Sequence, residues 1–242
     1  MLLTGRLLEG VPGLLHGFTD RSDGNIAFHV GEAYEAVDLR QQRLAERVGY
    51  RLEALTHMRQ VHGDRILSPG TAEGYTAPLE CDALVTDRPG RPLMVMVADC
   101  TPLLLCDPRR RVIAAVHAGR AGALADIAGK TVRKMADDFG SAPGEILALL
   151  GPSIGPCCYE VGESIGAEAA ALGYAEAVVE TGNRICLDVN AIIIRQLKEA
   201  GLADTHIETS GRCTSCESER FFSYRADRRQ TGRFAGVIML TR

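Results

Sequence analysis

The sequence predicts an α+β fold, and three observations carry that prediction. Strand-like apolar runs come in groups instead of alternating strictly with helices, which argues against a doubly wound parallel sheet. Helical periodicity is confined to a few separate segments. The 242 residues, 46% of them hydrophobic, suffice for one large core without disulfide staples, and no linker, repeat or low-complexity tract divides them into domains.

The elements follow in chain order. Val37 to Val48 predicts an amphipathic helix, with Leu39, Leu44 and Val48 apolar among Arg, Gln and Glu. Three strands are expected close together, over Leu93 to Ala98, Leu103 to Cys106 and Val112 to Val116; Pro108, Arg109 and Arg110 supply the turn between the last two. A helix from Leu124 to Phe139 should stop at Gly140, because glycine accepts the left-handed cap conformation. Ile146 to Leu150 reads as a buried strand that runs into an irregular loop, Gly151-Pro-Ser-Ile-Gly-Pro156. Asp188 is placed to cap a helix through Leu197 that stops near Gly201, and Phe234 to Leu240 predicts the closing strand.

Charge and composition exclude several classes of function. The 27 Lys and Arg against 31 Asp and Glu give a net charge of -4, without the general basic footprint of a nucleic-acid binder. No apolar run approaches the ~20 residues of a membrane span. Arg6 and Glu9 stand where a signal peptide would need its apolar core, so a cytoplasmic protein is expected. The eight cysteines are then reduced thiols, most of them packing as small hydrophobes.

Three segments put a metal-capable side chain at the end of an apolar run beside glycine or a turn: Gln60-Val-His62-Gly63, Ala98-Asp-Cys100-Thr-Pro102 and Ala115-Val-His117-Ala-Gly119. Their spacing is not that of a zinc finger, and satisfied core histidines with a packed cysteine are the plain alternative. As one site, a thiolate and two imidazoles form a borderline-soft set suited to zinc, with a fourth position left open to acidify a water. The same set also describes a copper site with a weak axial methionine, and Met58, Met94 and Met96 are near in sequence. A multicopper site consumes many histidines, commonly as His-x-His pairs; this chain has six histidines and no such pair. A third reading takes Cys100 as a nucleophile with His117 or His62 as its base, and Asp99 as the group that orients a histidine or ends the strand.

Three further features are weaker. Cys213-Thr-Ser-Cys216 is a single Cys-x-x-Cys with no second pair, because Cys157-Cys158 is adjacent and unsuited to chelation as a pair; structural thiols are expected. Phe221-Phe-Ser-Tyr-Arg225, followed by Asp227, Arg228, Arg229 and Arg233, combines aromatic surface with guanidinium groups that can stack a base and clamp a phosphate. The Gly151 to Gly155 loop can present N–H groups to an anion.

Six motifs in order carry a family resemblance: His16-Gly-Phe-Thr-Asp-Arg21, Gln60-Val-His-Gly63, Ala98-Asp-Cys-Thr-Pro102, Val116-His-Ala-Gly119, Leu150-Gly-Pro-Ser-Ile-Gly-Pro156 and Phe221-Phe-Ser-Tyr-Arg225. From about His16 to Leu240 the chain resembles the YfiH/laccase-domain family, also called the multicopper polyphenol oxidase or purine nucleoside phosphorylase family. The resemblance implies a single α+β domain with a mixed β-core covered by helices. It also implies zinc ligands at His62, Cys100 and His117, which would be the catalytic centre. The implied chemistry is phosphorolysis of adenosine, inosine, guanosine or methylthioadenosine, with deamination of adenosine. Copper-dependent phenol oxidation and editing of peptidoglycan precursors are the family's other described activities. Gln60, Arg120 and Arg225 are the expected contacts to nucleoside and phosphate. The chain departs from the family where His-Ala-Gly-Trp-Arg-Gly becomes His117-Ala-Gly-Arg120-Ala121-Gly122, and it contains no tryptophan. Its segment between Arg21 and His29 is also shorter than the family's, and Arg40-Gln41 stands where Asn-Arg is common.

Overall fold

Strands β7 (Thr101–Asp107) and β8 (Val112–Ala118) are buried along their whole length. In the computed structural model, which describes residues 2–70 and 74–241, they form an antiparallel pair around the expected turn at 108–111. They lie at the centre of a six-stranded sheet ordered β13 (Ile207–Thr209), β9 (Leu147–Leu150), β7, β8, β5 (Ala83–Thr86), β3 (Ile66–Leu67). A five-stranded sheet runs β1 (Leu14–Phe18), β14 (Phe234–Leu240), β6 (Leu93–Val97), β2 (Thr56–Arg59), β4 (Leu79–Glu80). Each combines parallel and antiparallel pairs, so the β-core is mixed. A small antiparallel sheet of β10 (Glu160–Val161), β12 (Arg184–Leu187) and β11 (Val178–Thr181) completes the described strands.

The period of two in each strand sets the layers. Leu93, Val95 and Val97 of β6 pack with Leu104, Cys106, Ile113 and Ala115, so the two large sheets face each other across one core. The alternate residues Met94 and Met96 turn the other way onto Leu44 and Ala45 of helix α2 (Tyr34–Val48). On the far side, Leu103, Leu105, Ala114 and Val116 meet α4 (Ile127–Phe139) and α6 (Val189–Glu199). Helices therefore cover both outer faces of a two-sheet core. Of the short helices, α1 (Arg6–Glu9) packs on β1 and β9, α3 (Arg120–Leu124) on β8 and α6, and α5 (Glu163–Ala171) on β11 and β12 of the small sheet. Because β6, β7 and β8 are buried on both faces, their sequences are continuous apolar runs and not alternating ones.

Most expected elements are present. Asp188 caps α6 by accepting the Ala191 N–H at 3.0 Å, and Gly140 closes α4 in the left-handed conformation at φ 71°. The helix expected over 124–139 is present as α4 but begins three residues later, after the short α3. The chain turns between the two at Asp126, which takes φ 62°, a conformation that aspartate tolerates better than most residues. Cys81, Cys106 and Cys186 are buried, two of them inside the core between the sheets, as small hydrophobes would be. Among the described residues no helix is long and apolar enough to cross a membrane.

Candidate metal centre and substrate cavity

Pairing register builds the centre. Pro102 sits opposite His117, and Cys100 lies just before β7. His117 shares the strand face of Ile113 and Ala115, so its ring enters the space between the sheets at their rim. His62 comes from the turn after β2, in the left-handed conformation at φ 61°. The ligand-capable atoms of His62, Cys100 and His117 all lie within 4.8 Å of one another. The two imidazoles meet edge to face with centroids 4.8 Å apart. The three residues expected to form one centre do converge.

Asp82 organises it. Its side chain is completely buried, and Oδ1 accepts from His117 Nδ1 at 2.8 Å. That bond fixes the tautomer and directs Nε2 toward Cys100 and His62, the arrangement by which a carboxylate orients a metal-binding histidine. The same carboxylate accepts the backbone N–H groups of His62 at 2.9 Å, Gly63 at 2.8 Å and Val61 at 3.3 Å. One carboxylate thus holds both histidines, one by its ring and the other by its backbone. Burial would raise the Asp82 carboxyl, but the bond to His117 and these backbone donors hold it below the ordinary range.

Electrostatics prepare the thiol. Burial alone would push Cys100 upward; the charge of His117 and hydrogen bonds from both imidazoles outweigh it and favour the thiolate. Burial likewise disfavours a charged His117, yet the Cys100 thiolate and Asp82 raise its pKa. An anionic sulfur next to imidazoles is the state in which cysteine ligates a metal or attacks an electrophile. Gly119 keeps the space beside the sulfur free: a Cβ there would sit 3.0 Å from Cys100 Sγ and 3.3 Å from His62 Cδ2. The donor set, its spacing and its orienting carboxylate fit a single borderline-soft metal ion of the zinc type.

A multicopper centre does not fit. Among the described residues two groups of three or more His, Cys, Asp or Glu converge, and only this one contains histidine. Met94 packs against α2, remote from an axial position, whereas Met58 and Met96 line the cavity.

The cavity above the trio measures about 970 Å³. Phe28, Pro78, Tyr159 and Tyr224 supply apolar and aromatic wall, and Arg120, Arg225 and Arg233 supply charge. A second cavity of about 680 Å³ shares Arg120, Tyr159, Tyr224 and Arg225 with the first and adds Arg228 and Arg229. Arg120 opens α3 directly after Gly119. Arg225 is braced: its guanidinium donates to the carbonyls of Cys158 at 3.2 Å and Glu160 at 3.0 Å, and it lies over the Tyr159 ring. Gln60 lines the cavity, but its amide is committed to the Met96 backbone, accepting from N–H at 2.9 Å and donating to C=O at 2.8 Å.

Asp99 does not orient a histidine. Its carboxylate accepts from Thr214 Oγ1 and from the Arg225 backbone N–H, each at 2.7 Å, and its φ of 93° marks the sharp turn into Cys100. The orienting group is Asp82, which sequence reasoning missed; the only trace is an acid placed directly before the apolar Ala83-Leu-Val run.

The sequence profile of a family described as multi-copper polyphenol oxidoreductase laccase matches residues 16–241. A purine nucleoside phosphorylase of Deinococcus radiodurans is 41% identical, covering 83% of this chain and 76% of that one. One from Streptomyces coelicolor is 39% identical over 96% of this chain and 98% of its own. Among solved structures, the hypothetical protein YfiH of Bacillus licheniformis superposes with a TM-score of 0.92 at 30% identity, covering 96% of this chain and 95% of that one. YlmD of Geobacillus stearothermophilus gives 0.88 at 30% identity, covering 96% and 93%. Matching motifs, matching fold and this extent of identity lead to one conclusion: the chain belongs to the multi-copper polyphenol oxidoreductase laccase family, the family of YfiH.

Proposed function

We propose that the protein is a zinc-dependent purine nucleoside phosphorylase acting in the cytoplasm. The observation that carries the reading is the joining of the His62–Cys100–His117 centre to an arginine-lined cavity with aromatic walls. The relatives named purine nucleoside phosphorylase support it.

In phosphorolysis a phosphate oxygen bonds to the sugar C1′ as the C1′–N9 bond breaks, and the purine leaves with a proton. Arg120, Arg225, Arg228 and Arg229 surround a volume suited to the phosphate, since guanidinium groups bind its oxygens in pairs. Arg120 stands one position before the family arginine that Ala121 replaces, and it lines both cavities. Tyr159 and Tyr224 offer faces to the base, and Phe28 closes the apolar side. Asp82 holds the His117 tautomer, and the Gln60–Met96 contact fixes the strand that leads into the His62 turn. His62, Cys100 and His117 would hold the zinc, which would supply a Lewis acid at the cavity.

Deamination of adenosine is the second reading, favoured by the mixed His/Cys ligand set. It needs a carboxylate to move protons. Asp99 is the one carboxylate lining the cavity among the described residues, and it is held by Thr214 and Arg225. For that reason phosphorolysis ranks first.

Product chromatography of adenosine with zinc-loaded protein, with and without phosphate, tests both readings. Adenine and ribose-1-phosphate formed only with phosphate, and absent in Cys100→Ala, establish the phosphorylase. Inosine in both conditions establishes the deaminase. Phenol oxidation by copper-loaded protein alone would replace zinc with copper. Turnover of a peptidoglycan precursor that survives chelation but not alkylation of Cys100 would replace both with a cysteine hydrolase.

A further inference from the structure

Four cysteines that the sequence separates into an adjacent pair and a Cys-x-x-Cys meet in space. The loop after β9 lies against residues 212–214: Ser153 bridges to Cys213, its N–H donates to Arg212 C=O at 3.3 Å, and its carbonyl accepts from Thr214 N–H at 3.0 Å. This brings the Sγ atoms of Cys157, Cys158, Cys213 and Cys216 within 4.8 Å of one another. Cys216 Sγ is 3.5 Å from that of Cys157 and 3.4 Å from that of Cys158, and all four are free thiols.

We propose that Cys157, Cys158, Cys213 and Cys216 bind a second zinc ion, at a structural site separate from the His62–Cys100–His117 centre. Four thiolates around one zinc at ~2.3 Å stand roughly 3.8 Å apart by tetrahedral geometry; the Cys216 contacts at 3.4 and 3.5 Å lie a few tenths of an ångström inside that spacing, and all four sulfurs fall within 4.8 Å of one another. A disulfide requires ~2.05 Å, well inside every observed contact. A polynuclear iron–sulfur cluster interposes several atoms and holds its ligands farther apart than this compact set. The adjacent pair need not chelate by itself, because Cys213 and Cys216 close the ring from the opposite loop. Gly155 N–H donates to Cys213 Sγ at 3.3 Å, the kind of backbone bond that supports a ligating thiolate. Four protein ligands leave no open position, so the ion is structural.

Its place in the fold gives it a purpose. The residue after Cys213, Thr214, donates to Asp99, the neighbour of Cys100. The carbonyl of Cys158 accepts from Arg225, whose backbone N–H also binds Asp99. The clip therefore joins two loops that brace the Arg225 wall of the cavity and, through Thr214 and Asp99, reach the residue before Cys100, while the two histidines of the trio are held by Asp82.

Metal content by mass spectrometry, on full-length protein purified under reducing conditions with zinc, tests the site. The expected zinc per chain is two in the native protein, one in Cys100→Ser/His117→Ala and one in Cys213→Ser/Cys216→Ser. If the latter fails to fold, cobalt in the Cys100→Ser/His117→Ala variant decides, since that variant keeps all four thiols. Intense sulfur-to-cobalt charge transfer with tetrahedral visible bands supports the site. One zinc in the native protein and none in Cys100→Ser/His117→Ala overturns it. So does a disulfide among the four cysteines in the freshly purified protein, or iron in place of zinc. These readouts do not depend on the nucleoside reaction.

Discussion

Asp82 and His117 are joined twice across neighbouring strands: His117 N–H donates to the Asp82 carbonyl at 2.7 Å, and its Nδ1 meets Asp82 Oδ1 at 2.8 Å. The first bond is ladder pairing, one step beyond Ala83 opposite Val116. The second turns that register into chemistry, because a slip by one residue would send the carboxylate to the other face of the sheet. Asp82→Asn replaces an acceptor that serves His117 and three backbone N–H groups. Zinc affinity at the trio should fall about 10- to 100-fold, read by competition with a chromophoric chelator. Unchanged affinity would remove Asp82 from the centre.

Gly119 has φ −77° and ψ 175°, which alanine also adopts, so Gly119→Ala isolates the space beside the sulfur from backbone strain. With its Cβ 3.0 Å from Cys100 Sγ, the variant should bind zinc at least about tenfold more weakly, by analogy with other perturbed metal sites, while its melting temperature moves little. Gly10→Ala is the control, since a Cβ there meets nothing within 4 Å.

Metal-free protein should be alkylated by iodoacetamide at Cys100 readily at neutral pH. Its lowered pKa leaves the sulfur as thiolate there, and the rate should decline as pH falls through that value. His117→Ala removes the main group favouring the anion and leaves burial, which acts in the opposite direction. The rate at pH 7 should then drop and the profile move to higher pH. Identical profiles for the two proteins would refute the charge pairing.

Arg120→Ala tests the phosphate cradle. Loss of one charged hydrogen-bonding group is worth about 10- to 100-fold, and it should appear as a raised KM for phosphate with the KM for nucleoside nearly unchanged. Equal effects on both substrates would place Arg120 elsewhere.

Leu104 is fully buried between the two large sheets. Leu104→Ala should cost about 2–5 kcal/mol in chemical denaturation, because the facing strands cannot collapse onto the space left behind. A cost below 1 kcal/mol would mean that the two sheets do not share a rigid core.

Much was legible along the chain because it is locally encoded. The apolar runs of β6, β7, β8, β9 and β14, the Gly140 stop and the Asp188 cap each carry their own signal in neighbouring residues. His62, Cys100 and His117 were also visible, as metal-capable residues at strand ends beside glycine. What remained hidden depends on partners distant in sequence. The left-handed turn at Asp126 between α3 and α4 has no glycine or proline to announce it. Asp82 is a lone acid until register sets it against His117, and Asp99, the more obvious carboxylate, turns to Thr214 and Arg225 instead. The four cysteines lie 55 or more positions apart between pairs, so only the contact of two loops makes them one cluster. Composition and periodicity determine which segments are buried strands and capped helices; distances between side chains belong to sheet register and loop packing, which no local window of sequence contains.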